Sequence, residues 1–172
     1  MIIHEQASAW MRRALAMAAR ALEEGEAPIG SLVVMCDGRV AGAGYNQMHG
    51  SGDVTRHAEM VALGASAGQF APGTRGLTLV STLEPCVMCT GAAMEAGIEH
   101  IIYGLPAPAD SGSGRVRAPE SPDAAMPTLQ GGVMARHSRE LFLVWMDRHY
   151  DDPSRDAQRA FIQQLLSLTM TG

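Results

Sequence analysis

The sequence predicts a three-layer α/β/α fold, a central mixed five-stranded sheet sandwiched by helices, and three observations carry that expectation. Five short apolar segments read as strands, at 29–36, 40–45, 77–82, 100–104 and 128–134. Asp37-Gly38 joins the first two, and that dipeptide is a hairpin signal that sets them antiparallel. The third and fourth flank a helical stretch, and strand–helix–strand order implies parallel pairing through a right-handed crossover. At 172 residues the chain is long enough to bury a proper core as one domain, 1–172.

Each element has its own signal. Over 5–24, Trp10, Leu15, Met17, Ala18 and Leu22 recur at helical spacing and Gly25 stops the run. Trp10 is expected in the core of that face. The first strand is rich in β-branched residues, and Cys36, at its end, is expected to be a core thiol. Gly42 and Gly44 in the second strand mark close backbone approach rather than a dinucleotide site. A loop over 47–56, with Thr55 as a cap near its end, leads into a helix from His57 to about Gly68. A second helix runs over 86–97. The stretch 105–127, rich in Pro, Gly and Ser, cannot hold a helix or a central strand and is expected to be a lid or a mobile segment. Helices over 136–150 and 153–168 close the chain, Pro153 being a good first-turn residue.

The chemistry lies between His57 and Cys89. Cys86 and Cys89 are three apart and share one helix face. With a distant histidine they form the nitrogen-and-sulfur ligand set that selects zinc. Three protein ligands fall one short of a closed tetrahedron and leave a position for solvent. Glu59, two residues after His57, points away from that ligand's face and is the candidate proton carrier. A Cys-x-x-Cys alone also fits a redox pair or half of a structural zinc knuckle. The order His-x-Glu, spacer, Pro-Cys-x-x-Cys is more specific, being the signature of zinc-dependent base deaminases.

On these motifs, and on Gly25-Glu26-Ala27-Pro28-Ile29-Gly30, Gly44-Tyr45-Asn46, Asp53-Val54-Thr55-Arg56-His57-Ala58-Glu59 and Thr82-Leu83-Glu84-Pro85-Cys86-Val87-Met88-Cys89, the chain resembles the cytidine-deaminase-like superfamily. The likeness is to the branch of tRNA adenosine deaminases, guanine deaminases and cytosine deaminases, and it covers about 24–103. It implies one Zn2+ per chain, held by His57, Cys86 and Cys89, with Glu59 catalytic. It further implies substrate contacts from Asn46, the backbone of Ala58 and, in the long loop, Asp110, and Glu84 is expected to be a carboxylate that either faces the substrate or supports the site from behind. Aromatic residues near the C-terminus close the pocket in base-deaminating relatives, which makes Phe142 and Trp145, with His149 and Tyr150, the candidates here. A homodimer is the family's usual assembly. Val54 and Arg56 depart from the tRNA- and guanine-acting relatives, which have proline and a small residue there.

Composition bears on the substrate. The net charge is −5, and all 13 basic residues are arginine. A phosphate backbone normally needs a basic patch, and no arginine cluster exceeds Arg12-Arg13. The expectation is therefore a free nucleobase or base-like small molecule (guanine, cytosine or aminotriazine type), with nucleic acid disfavoured. The alternatives are wobble adenosine in tRNA and a non-catalytic zinc-binding partner protein; an intact Glu59 counts against the last. The first five residues have no basic or apolar leader pattern and no run reaches a membrane span. Three cysteines without a disulfide framework suit the cytoplasm.

Overall fold

The computed structural model describes residues 4–121 and 124–169. Residues 1–3, part of the expected leaderless N-terminus, and residues 122–123 of the long loop lie outside the described residues.

Five strands form one mixed sheet: β1 (Gly30–Val34), β2 (Val40–Tyr45), β3 (Thr78–Leu83), β4 (His100–Leu105) and β5 (Thr128–Gln130), in the order β2-β1-β3-β4-β5. β1 is antiparallel to both β2 and β3, whereas β3, β4 and β5 run parallel. The helices are α1 (His4–Glu23), a short α2 (Met48–Ser51), α3 (Ala58–Ala65), α4 (Val87–Glu95), α5 (Ala135–Arg148) and α6 (Asp156–Leu168).

Alternation along the strands builds two faces. Leu32, Val34, Val80 and Ile102 pack against Ala7, Trp10, Met11 and Ala14 of α1. Their neighbours Val33, Leu79 and Ile101 point the other way, onto Ala62 of α3 and Ala93 of α4. Trp10 is core, as expected. A third cluster joins Leu83 and Leu105, at the C-terminal ends of β3 and β4, to Phe142, Trp145, Ile162 and Leu165 of α5 and α6.

The two glycines of β2 do what their spacing implies. A Cβ on Gly42 would lie 2.3 Å from the Ala62 carbonyl oxygen, and one on Gly44 2.5 Å from the Ala62 nitrogen. Only bare backbone lets α3 lie that close to the sheet, and α3 begins with the candidate site.

Several boundaries differ from expectation. β1 ends at Val34 because the turn starts early: the Met35 N–H donates to the Arg39 carbonyl, with Gly38 at φ +85°. Cys36 therefore sits in the turn and is exposed, not a core thiol. β5 has three residues, since Gly132 and Met134 adopt positive φ and turn the chain into α5. The helix over 153–168 is a 3-10 turn, Pro153–Arg155, followed by α6. His57, not Thr55, occupies the N-cap of α3; Thr55 binds the Asp53 carboxylate in the preceding turn. Among the described residues no helix is long and apolar enough to cross a membrane.

Candidate metal centre and substrate cavity

His57 and Cys86 occupy equivalent places: each is the N-cap of a helix, His57 of α3 and Cys86 of α4. Both have extended backbone (ψ 155° and 179°), and neither side chain caps its own helix. Both are thereby free to turn toward each other. Cys89, in the first turn of α4, joins them. His57 Nδ1 lies 3.6 Å from both Cys86 Sγ and Cys89 Sγ. Zinc–nitrogen and zinc–sulfur bonds of about 2.05 and 2.3 Å at a tetrahedral angle put nitrogen and sulfur about 3.6 Å apart. The three donors thus have the spacing a single zinc ion requires, and they form a candidate metal cluster.

The electrostatics ask for a cation. Hydrogen bonding from Cys89, then from His57, holds the Cys86 thiol down to about 4. Cys89 is pushed up by its contact with Cys86 and by burial. The hydrogen bond to Cys86 raises the His57 imidazole against its desolvation. Glu59 is 4% exposed, and burial raises its carboxyl, with the adjacent Cys86 adding to the effect. Two thiols and a carboxyl crowd one imidazole, and they can all ionise only beside a positive ion.

Glu59 is held at both oxygens. The Ser81 hydroxyl of β3 donates to Oε1 at 3.0 Å, and Oε2 faces Cys89 Sγ at 3.6 Å. Ser81 is fully buried and pairs with Ser31 across the sheet, so its position is fixed by strand register.

This cluster forms one end of a cavity of about 310 Å³, at the small end of the range for small-molecule sites. Asn46, His57, Glu59, Glu84, Cys86 and Asp110 all line it. Asn46 Nδ2 donates to Glu26 at 3.1 Å, and the same carboxylate accepts from the backbone of His49 and Gly50. Ala58 is the first residue of α3 and its methyl is buried. The residue is fully buried and is not among those that line the cavity, so the expected backbone contact is not seen in the cavity wall.

Glu84 lines the cavity and takes the supporting one of its two expected roles. Its carboxylate accepts from the Ala107 N–H at 2.9 Å, from Ser113 Oγ at 2.7 Å and from Ser111 Oγ. Between the two serines, Gly112 lies against the first turn of α4: a Cβ there would meet the Cys86 carbonyl oxygen and Thr90 Oγ1 at 2.3 Å. Its N–H donates to the Pro85 carbonyl. The stretch from Ala107 to Gly114 is thus a docked wall that carries Asp110 to the cavity.

Phe142 and Trp145 do not reach the cavity. Both are fully buried in the cluster beneath α6, and the Trp145 ring stacks on His149 at 4.4 Å between centroids. Tyr150 is 74% exposed. The wall expected of these aromatics comes instead from α6, through Ala157, Gln158, Phe161 and Ile162. Sequence reasoning also passed over Glu26, Ser81, Ser111 and Ser113. A serine inside the apolar run Leu79-Val80-Ser81 was the available signal for the second of these.

Residues 4–105 match the family model of the cytidine and deoxycytidylate deaminase zinc-binding region, which takes in all three metal-ligand candidates and Glu59. The chain belongs to this family. Within it, the chain is 44% identical over 149 residues to a tRNA(Ile)-lysidine synthase of Deinococcus radiodurans, covering 83% of this chain and 26% of that protein. It is 41% identical over 101 residues to a tRNA-specific adenosine deaminase of Streptococcus pyogenes, covering 58% of this chain and 63% of that one. The chain thus spans about a quarter of the first relative's length and under two thirds of the second's. A solved structure from a study of A-to-I editing by tRNA:A34 deaminases superposes with a TM-score of 0.64 at 30% identity, over 77% of this chain and 97% of that one. The cytidine-deaminase-like fold, and a zinc-binding deaminase domain, follow for this chain.

Proposed function

We propose that this zinc-binding deaminase domain hydrolytically deaminates adenosine to inosine in a tRNA substrate. The observation that carries the chemistry is the placement of the His57–Cys86–Cys89 triad and the buried Glu59 together at the end of a base-sized cavity. Zinc, when bound, supplies Lewis acidity that makes water a nucleophile near neutral pH. Glu59, steadied by Ser81, takes a proton from the water that attacks the amine-bearing carbon. It gives that proton to the ring nitrogen and then carries the remaining hydroxyl proton of the adduct to the amine, so both protons of water are consumed, the C–N bond breaks and the amine leaves as NH3. The docked 107–114 wall and α6 confine the ring.

The free-base preference expected from composition gives way to tRNA in our reading for two reasons. The relatives quoted above at 41% identity and at 30% identity with a TM-score of 0.64 act on tRNA by name. The charge argument also weakens locally. Among the described residues seven arginines sit in ion pairs with acids, and Arg56 and Arg115 are not among these. Arg56 directly precedes His57 and its guanidinium donates to the Gln47 amide oxygen; Arg115 follows the wall that carries Asp110 and donates to the Ser111 and Pro108 carbonyls. Two exposed cations on the segments entering the cavity offer sites for phosphate on a chain that is acidic overall.

Inosine formation measured on an anticodon stem-loop bearing adenosine, beside ammonia release from free adenine, guanine and cytosine, tests this reading. Turnover of the stem-loop with none of the free bases is expected. The reverse pattern refutes the tRNA assignment while leaving the deaminase chemistry, and no ammonia from any of them by zinc-loaded protein refutes both.

A further inference from the structure

Two amides line the cavity, and each is fixed by a charged partner of opposite kind. Asn46 gives its Nδ2 to the carboxylate of Glu26, which can only accept. Gln158, on the first turn of α6, has the inverse arrangement: Arg155 Nη1 donates to its Oε1 at 2.9 Å. A guanidinium has donors and no acceptor, so the oxygen of Gln158 must face Arg155 and its NH2 must face elsewhere.

Arg155 is itself placed with little freedom. It is 7% exposed, and its Nε lies 3.9 Å from Asp152 Oδ2 across the 3-10 turn. Its Nη2 also sits where a Cβ on Gly25 would come within 3.4 Å. Among the described residues neither N–H of Gln158 Nε2 donates to a protein acceptor. Of the other polar groups on the cavity wall, His57 and Cys86 serve the metal cluster and Glu59 the proton transfer, Glu84 holds the 107–114 wall, and Asp110 as a carboxylate can only accept, which leaves Gln158 as the neutral donor on the α6 side.

We infer that Gln158 is a specificity-determining residue of this site, donating a hydrogen bond through Nε2 to a ring nitrogen of the substrate base on the edge facing α6. Arg155 acts through it as a positioning residue that fixes the sense of the amide. A base edge presenting an N–H there meets two donors and is rejected, which is how an amide held in one sense discriminates. The inference rests on the deaminase function proposed above.

The test is a chemical double-mutant cycle on the anticodon stem-loop. Gln158→Glu keeps an acceptor for Arg155 and removes both N–H donors; Gln158→Met removes polarity without adding charge. Each variant and the wild type are assayed on adenosine and on its 3-deaza and 7-deaza analogues, in which a ring acceptor becomes C–H. Wild type is expected to lose about tenfold or more in kcat/KM on one of the two analogues. Both variants should lose a similar factor on adenosine and no longer distinguish that analogue from the parent. Equal discrimination by wild type and variants overturns the inference while leaving the deaminase reading intact. So does a wild type that treats all three substrates within twofold. No turnover of any of them by zinc-loaded wild type overturns the function proposed above, and this inference with it.

Discussion

Replacing Glu84 by Gln should loosen the wall of the cavity without touching the metal cluster. The buried carboxylate accepts three hydrogen bonds, one from backbone and two from serine hydroxyls. A hydrogen bond to a charged group contributes roughly 1.5–3 kcal/mol against roughly 0.5–1.5 for a neutral pair. Three bonds weakened by about 1 kcal/mol each set an upper bound near 3 kcal/mol. Two effects offset part of that. The amide of Gln costs less to bury than a carboxylate, and a serine hydroxyl can rotate to accept from the new NH2. A net loss of about 1–2 kcal/mol is expected. For a chain of this length each kcal/mol shifts Tm by about 2–4 °C, which puts the fall at roughly 2–8 °C. Urea unfolding of zinc-loaded protein reads the energy, and peptide-level hydrogen exchange over 107–114 reads the place. In a Ser111→Ala/Ser113→Ala background the same replacement should cost less, because the partners have gone. A Glu84→Gln protein as stable as wild type, with unaltered exchange over 107–114, would refute the account of this loop as a wall pinned by one carboxylate.

Glu59→Gln should retain one zinc per chain by elemental analysis and lose about 100-fold or more in turnover, since a carboxamide cannot accept the proton. A variant that binds metal and still turns over would remove the proton-carrier role. Phe142→Ala and Phe161→Ala should separate core from wall: the first costs about 3–5 kcal/mol in unfolding, whereas the second raises KM with a smaller loss of stability. Tyr45 is buried and donates to Glu24, and burial, then that carboxylate, raise its phenol above 10.0. Its contribution to stability is complete below the unfolded value and fades as pH rises through the raised one. Tyr45→Phe should therefore flatten the alkaline limb of a stability–pH curve; an unchanged limb would contradict the burial argument.

How much of this was legible beforehand follows the range of the interactions. The sheet was readable because strand alternation and the Asp37-Gly38 turn are local, and they dictate pairing without knowledge of distant residues. The metal ligands were readable for a related reason. His57 and Cys86–Cys89 each lie at the start of an apolar helix, and helix starts are strongly marked in sequence. Failures came where a side chain's partner is remote in sequence. Glu84 is answered by serines 27 and 29 residues on, and nothing local says that a Ser-Gly-Ser run will fold back onto a carboxylate. The C-terminal aromatics failed differently. Helical periodicity shows that Phe142 and Trp145 share a buried stripe, but not that α6 will lie over it and take the cavity side for itself. Cys36 failed by one turn, because an apolar run does not announce where a hairpin begins to curl.

The same contrast explains how the site can be both rigid and adjustable. Its reacting end is fixed by the sheet: Ser81 holds Glu59 from within β3, and the glycines of β2 let α3 press His57 into place. Displacing any of these groups would disturb strand register or helix packing, so the metal cluster shares the stability of the core. The opposite end is built from the 107–114 wall and the first turn of α6, neither of which is a strand of the sheet. Gly112 apart, which packs on the Cys86 backbone, substitutions there alter the outline of the cavity away from the zinc-ligand candidates. If the proposed function holds, substitutions at Gln158, Phe161 or the loop serines should change kcat/KM between bases more than they change zinc content, whereas substitutions at Ser81 or Gly44 should lower zinc content and stability together; the opposite pattern would refute this division of the site.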